Sequence, residues 1–397
     1  MPFRQGVIAY ARFRVHDGPR VVDSALLDAL EEHALRPASV GTPPELQAGW
    51  TAGRHVYDTT YDAETIVFGE RLLFGLRLDT NRVPASIRQA YVAMAQETLR
   101  GRQNGNGGGA GRRAAQEEAQ ERCREELAAG RHLRSRMLPA LWDVSRHLVF
   151  VPAFSDATVN ALAELFAVTF DARLEPLSAG ALARERLETS GLRRDYEDLG
   201  PTPFTGAPPA AAGGDVPAVP WSHMGPEPKD FLGNEFLIWL WSQTEIGSAT
   251  ISTGEGEVAI AIDRTLDMEC AWDVTGKQML RANGPARLPE AVASLRTGKW
   301  PRKLGLVMAA GGEQWELSFQ GDRFAVSGAK LPKPEETPAS EREAVEGRLN
   351  TLDTLDRALV ALFHQFLAER TGEGWPSERD TLRRWIRGGR TLAKVDA

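Results

Sequence analysis

Cations are the residues whose spacing most readily suggests chemistry. Between positions 100 and 136 stand Arg100, Arg102, Arg112, Arg113, Arg122, Arg124, Arg131, Arg134 and Arg136. They face Glu117, Glu118, Glu121, Glu125 and Glu126, in a chain whose formal net charge is −7. Arg296, Lys299, Arg302 and Lys303 flank Trp300 with no acid among them, and Arg379, Arg383, Arg384, Arg387, Arg390 and Lys394 surround Asp380 near the end. Solvated helix faces account for many such clusters. Three of them in an acidic chain point instead to a polyanion, whose phosphates are neutralised with release of condensed counterions. The contact is expected to be local, because the chain as a whole carries no basic excess.

Other chemistries fit less well. Gly105, Gly107 and Ala110 satisfy the G-x-G-x-x-A spacing of a dinucleotide loop. That loop needs a strand in front so that the turn aims a helix N-terminus at pyrophosphate, and here a helix precedes it. The same spacing at Gly254, Gly256 and Ala259 is followed by a strand where a helix is required. Gly276-Lys277 and Gly298-Lys299 lack the earlier glycine of a phosphate loop, the histidines show no metal-ligand spacing, and no G-x-S-x-G elbow occurs. Asp263, Asp267, Glu269 and Asp273 come nearest to the gathered carboxylates of a two-metal nuclease. On a strand, Asp267, Glu269 and Asp273 share one face opposite Met268, Cys270, Trp272 and Val274, the pattern of a sheet with one wet side. No metal and no cofactor is therefore expected, with a metal-dependent nuclease as the alternative.

The elements that carry these groups belong to a chain of 397 residues, 42% hydrophobic and 25% charged, enough for two or three ordinary domains. No run of about 18 apolar residues suggests a membrane span, and MPFRQGVIAYARF lacks the basic-then-apolar pattern of a secretory signal, so the expectation is cytoplasmic. Cys123 and Cys270 form neither a disulfide framework nor a metal spacing, as suits a reducing compartment.

GVIAYARFRV alternates as a strand, and Asp23 suits the N-cap of an amphipathic helix carrying Leu26, Leu27 and Leu30. TIVFGERLLFGLRLDT reads as two paired strands turning at Gly69. Pro84 opens a helix with Ile87, Tyr91 and Met94 on one face. RRAAQEEAQERCREELAAGRHLRSRMLPALW is rich in Ala, Glu, Arg and Leu and is predicted helical as far as Pro139. The glycine-rich stretch from 100 to 113 would then be the pliable tip of a projecting helical hairpin spanning about 84–140. HLVFVPAF is a strand, and Ser155 or Asp156 caps a helix carrying Val159, Leu162 and Phe166.

Residues 200–228 turn to Pro, Gly and Ala, a composition expected to be a linker. Beyond it, FLGNEFLIWLWSQTE reads as a helix, EVAIAID and MECAWDV as two strands, and Gly311-Gly312 as the turn of a hairpin. Leu349, Leu352, Leu359, Phe363 and Phe366 mark a last amphipathic helix. The expected fold class is α+β, with two α+β domains built on antiparallel sheets at 1–199 and 229–331, the projecting hairpin, and a C-terminal helical segment with a basic tail at 340–397.

NRVPASIRQAYVAMAQETLR, the charged helix after it, and RSRMLPALWDVSRHLVFVPAFSDATVNALAELF together resemble the recombination-associated protein RdgC family. So do GWTAGRHVYD and LPEAVASLRTGKWPRKLGLVMAAGGEQWELSF, and the likeness runs in order over about three-quarters of the chain. The resemblance implies a ring-like homodimer that encircles double-stranded DNA without sequence preference and restrains a recombinase, with no catalysis of its own and a place at the nucleoid. By position, Gly298-Lys299 matches the family's Gly-Lys, and the stretch from 100 to 113 matches the point where two subunits' tips would meet. The Pro/Ala linker and the basic tail are unlike the typical member, and the tip is glycine-rich with Arg in place of Lys. The candidate DNA-binding residues are Arg112, Arg113, Arg134, Arg136, Arg296, Lys299, Arg302 and Lys303. A protein-interaction module using the apolar faces of 231–241 or 345–366 is the remaining alternative.

Overall fold

A computed structural model describes residues 2–36, 42–102, 109–206, 228–334 and 336–388. The fold is α+β, and its neighbouring strands run antiparallel. In chain order the elements begin with β1 (Ile8–His16), α1 (Ser24–Glu32), β2 (Leu46–Thr51), α2 (Ala63–Ile66), β3 (Val67–Phe68), β4 (Arg71–Asn81), α3 (Ala85–Arg102) and α4 (Gly109–Ala128). Then come β5 (Leu133–Asp143), β6 (Leu148–Val151), α5 (Asp156–Phe170), β7 (Arg173–Pro176), α6 (Ala179–Thr189), α7 (Arg193–Asp198) and α8 (Phe231–Glu245). The chain ends with β8 (Thr250–Thr253), β9 (Gly256–Cys270), β10 (Gln278–Ala282), α9 (Pro289–Arg296), β11 (Lys299–Ala310), β12 (Glu313–Gln320), β13 (Ala325–Lys330), α10 (Glu341–Thr371) and α11 (Trp375–Ile386).

Two compact units share these elements, and they are not divided at the proline-rich stretch. One, here the outer unit, takes Met1–His16, Arg146–Phe154 and Leu174–Ala397; the other, the inserted unit, takes Asp17–Ser145 and Ser155–Arg173. The division differs from the expected boundary after residue 199 because β1 pairs with β13, which ties the start of the chain to its second half.

In the inserted unit β4 is flanked by β2 and β5, and β3 pairs with its start. The register sets Trp50 opposite Leu76, Phe74 opposite Ala140 and Leu72 opposite Trp142, so one face of the sheet collects the large apolar side chains. Helix α5 lies on that face. Its Phe166 and Phe170 meet Trp142 edge-on at 5.0 and 4.9 Å, and Trp50 donates its indole N–H to Thr169 Oγ1 at 2.8 Å. Ser155 caps the helix as its sequence suggests, and Asp171 closes it in a left-handed conformation. The opposite face holds Arg77, whose guanidinium grips both oxygens of Asp79 at 2.9 and 2.6 Å.

The long charged helix ends earlier than expected. Helix α4 stops at Ala128, Gly130 takes a left-handed turn, and residues 133–143 form β5. Every residue of β5 is paired with β4, from Arg71 opposite Asp143 to Asn81 opposite Leu133, and this continuous pairing overrides the helical propensity of the segment. The expected hairpin therefore reduces to α3 and α4, which pack on one another. The middle of its glycine-rich tip, 103–108, lies outside the described residues.

The outer unit has the strand order β10-β9-β11-β12-β13-β1-β6, with β8 on β9 and β7 on β1. The two strands expected at 257–274 are one, the fifteen-residue β9, which β11 follows through two register shifts. The expected turn at Gly311-Gly312 joins β11 to β12, both glycines having positive φ. Helix α8 is buried from Leu232 to Ser242, with Phe236 against Phe319, Phe324, Phe363 and Phe366.

The proline-rich stretch begins later than its composition suggests. Thr202 and Phe204 are buried, Thr202 N–H donates to Glu235 Oε1 at 2.5 Å, and Phe204 sits between Trp300 and Trp375. Residues 207–227 of the expected linker lie outside the described residues.

Candidate nucleic-acid interface

The inserted unit contains an open cleft of 1710 Å³ between the helix pair and one end of its sheet. Helix α3 lines it with Arg88, Gln89, Val92 and Gln96, and α4 with Gln116, Gln120, Cys123 and Arg124, residues spaced three or four apart on each helix. The floor is strand. Thr80 stands opposite Arg134 and Leu78 opposite Arg136, so the two arginines of β5, two positions apart, emerge on one face. This is the same sheet face that buries Trp50 and Trp142 further along, and the first turn of α5 borders it here through Ala157 and Thr158.

Charge in the cleft is one-sided. Arg82, Arg88, Arg124, Arg134, Arg136 and His132 line it, and Glu45 is the one carboxylate among the described lining residues. Arg82 is paired with Glu45 at 2.5 Å and Arg124 with Glu121 at 2.7 Å, while Arg136 donates to Thr158 Oγ1 at 2.9 Å. Arg88 and Arg134 are exposed and have no ion-pair partner among the described residues. No Phe, Tyr or Trp is among the described lining residues, and the one imidazole there, His132, is bound to Glu126.

Below the cleft a polar cluster fixes the root of the helix pair. Glu126 of α4 accepts from Tyr91 of α3 at 2.7 Å and binds His132 at 2.7 Å. These bonds, the one from His132 first, hold the Glu126 carboxyl below its ordinary range and push the Tyr91 phenol up. Asn81, the last residue of β4, donates to the carbonyls of Pro43 and Leu127 and so ties the strand to the end of α4.

The sequence-predicted residues divide. Arg134 and Arg136 lie in the cleft. Arg112 and Arg113 are exposed on α4 but do not line it, and Arg113 is paired with Glu117 at 3.2 Å. In the outer unit, Arg302 is bound by Glu269 at 2.6 Å and by Asp322, and Arg296 donates to the carbonyl of Ile386 at 2.8 Å. Lys303 stands opposite Asp267, and Lys299 opposite Cys270. This cluster is thus partly consumed in holding β9, β11 and α11 together. Arg82 and Arg88 escaped sequence reading because they precede the arginine-dense stretch. Their only signal is position, beside the Pro84 that opens α3.

Of the four carboxylates considered for metal binding, Asp263 and Glu269 are held by other groups. Asp263 accepts from Gly284 N–H at 3.0 Å, and Glu269 from Arg302 and Lys277. Burial pushes the Asp267 carboxyl up against the pull of Lys303 and Arg281. No group of three or more His, Cys, Asp or Glu side chains placed to hold a metal ion occurs among the described residues. No described helix is long and apolar enough to cross a membrane. No protein-family model matches the chain, and no curated protein matches it.

Proposed function

We propose that the chain binds double-stranded DNA along its sugar-phosphate backbone without reading base sequence. The observation that carries this reading is the inserted unit's cleft, where five arginines face one carboxylate and two of the five, Arg88 and Arg134, have neither an ion pair nor a side-chain hydrogen bond among the described residues. Arginines mounted on strands and a helix offer fixed forks to phosphate oxygens, which need no base edges for recognition. A described lining without Phe, Tyr or Trp, and with its single imidazole bound to Glu126, favours a paired duplex over a single strand.

The family resemblance extends the proposal to a homodimer that closes around the duplex at the nucleoid, restrains a recombinase, and performs no bond cleavage. The direct test is fluorescence anisotropy of a random-sequence 30-base-pair duplex between 50 and 300 mM KCl. Replacing both free arginines, as R88Q/R134Q, is expected to reduce the slope of log K against log salt by about 1.8. No binding at 50 mM, or an unchanged slope in the variant, overturns the reading. Mg²⁺-dependent shortening of the probe would favour the nuclease alternative.

A further inference from the structure

In the outer unit, α11 turns Trp375, Leu382, Trp385 and Ile386 inward, with Trp385 edge-on to Trp241 at 5.4 Å. Its acids, Glu378 and Asp380, belong to the first half with Arg379 between them, and Arg383, Arg384 and Arg387 follow at the other end. A cationic last turn is what a helix dipole favours, which would be explanation enough if the terminal carbonyls needed partners. They do not. Arg387 N–H returns to Arg383 O, Gly388 N–H to Trp385 O with Gly388 at φ +94°, and Arg296 reaches across from the end of α9 to take Ile386 O at 2.8 Å.

The arginines of this end therefore have other uses. Arg383 is spent on Pro203 O and Asp380, and Arg379 on Asp380. Among the described residues Arg384 bonds only to neutral groups of its own helix, Thr381 Oγ1 at 3.1 Å and Asp380 O at 3.4 Å. Arg387 is exposed with no ion-pair partner among the described residues. Arg296 adds a third guanidinium at the same helix end, held there by its bond to Ile386 O. These are three planar cations at one capped helix terminus, and among the described residues no carboxylate pairs with Arg384 or Arg387, a charge arrangement suited to phosphate.

We propose that the C-terminal end of α11, through Arg384 and Arg387 beside Arg296, is a second phosphate-backbone contact for duplex DNA. It is separate from the cleft of the inserted unit, and it rests on the reading of the chain as a duplex binder. The ligand class is the same but the residues are different, so the two surfaces contribute independently to the number of counterions released.

The test uses the full chain and the same 30-base-pair probe and salt series. R384Q/R387Q is expected to lower the salt slope by about 1.8 and to weaken binding at least tenfold at 100 mM KCl. The control R193Q/R342Q removes two arginines already paired with glutamates, Arg193 with Glu197 and Arg342 with Glu346, and is expected to leave the slope unchanged. If R384Q/R387Q binds as wild type while R88Q/R134Q is weakened, the second contact is refuted and the cleft stands. If the control lowers the slope as much as R384Q/R387Q, the effect is general charge and the second contact is likewise refuted. If the wild-type chain does not bind the probe at 50 mM, both readings fail. The substituted side chains are solvent-facing, and coincident thermal melts by circular dichroism verify that folding is unaffected.

Discussion

Gly233 of α8 and Gly321 at the end of β12 touch backbone to backbone, so closely that a methyl group built on either would overlap the other's carbonyl. No side chain there can swing aside, because the obstructing atoms are main chain. Replacing either glycine with alanine is expected to cost about 3 kcal/mol through forced separation of α8 from the sheet. Urea denaturation of G233A and G321A measures this. A loss below about 1 kcal/mol, the size of the ordinary helix preference working in alanine's favour, would show that the helix shifts freely.

A second stability prediction concerns Glu235, fully buried on α8, which binds Arg370 Nε at 2.8 Å together with the N–H and hydroxyl of Thr202. Removing one partner strands the other, so E235A is expected to lose about 3–5 kcal/mol. Removing both charges, as E235A/R370L, is expected to cost less than E235A alone. A double variant weaker than the single one would refute the account.

Acidification sets two groups against each other. Burial raises the Asp230 carboxyl to about 6, while burial, with Arg186 and Arg12 nearby, depresses His364 to about 4. Folded Asp230 holds its proton more tightly than the unfolded chain does, so its contribution is full below about pH 4 and is lost as pH rises through 6. His364 works the other way: its contribution is full above about pH 6.5 and is lost as pH falls through 4. Each spans at most about 3 kcal/mol, so they largely offset in the wild type. Unfolding free energies at pH 4.5, 5.5 and 6.5 are expected to fall on acidification in D230N and to rise in H364Q, relative to wild type. Three parallel profiles would remove both groups from the explanation.

At the root of the helix pair, the Tyr91–Glu126 bond joins α3 to α4. Y91F is expected to cost about 1 kcal/mol and to speed amide exchange along α3 more than along β4. Equal acceleration in both elements would mean that the bond serves the whole unit instead.

Local pattern was enough for β1, for the turn at Gly311-Gly312 and for the buried stripe of α10, because in each the period of apolar residues matches the element that forms. It failed at β5, where Arg134, Arg136 and Leu138 have ordinary helix propensity and only pairing with β4 makes them a strand. It failed again at 200–206, since a Pro- and Gly-rich segment gives no sign that Glu235, Arg370 and Trp375 wait far along the chain to hold it. The cleft shows the same limit. Arg134 and Arg136 were visible as charges, but their convergence with Arg82 and Arg88 depends on the β4–β5 register, which no single segment encodes.

The outer unit is assembled from both ends of the chain, and this shapes how the protein is made. On the ribosome, Arg12 emerges 344 residues ahead of Asp356, the partner that neutralises it inside the finished core at 2.6 Å. The inserted unit is complete long before then and is free to close first. Until β13 and α10 arrive, the side of β1 that carries Ile8 and Tyr10 has no permanent cover. Translation that stalls before α10 would therefore yield a finished inner body trailing a sticky leading strand, the kind of product that chaperones and proteases select.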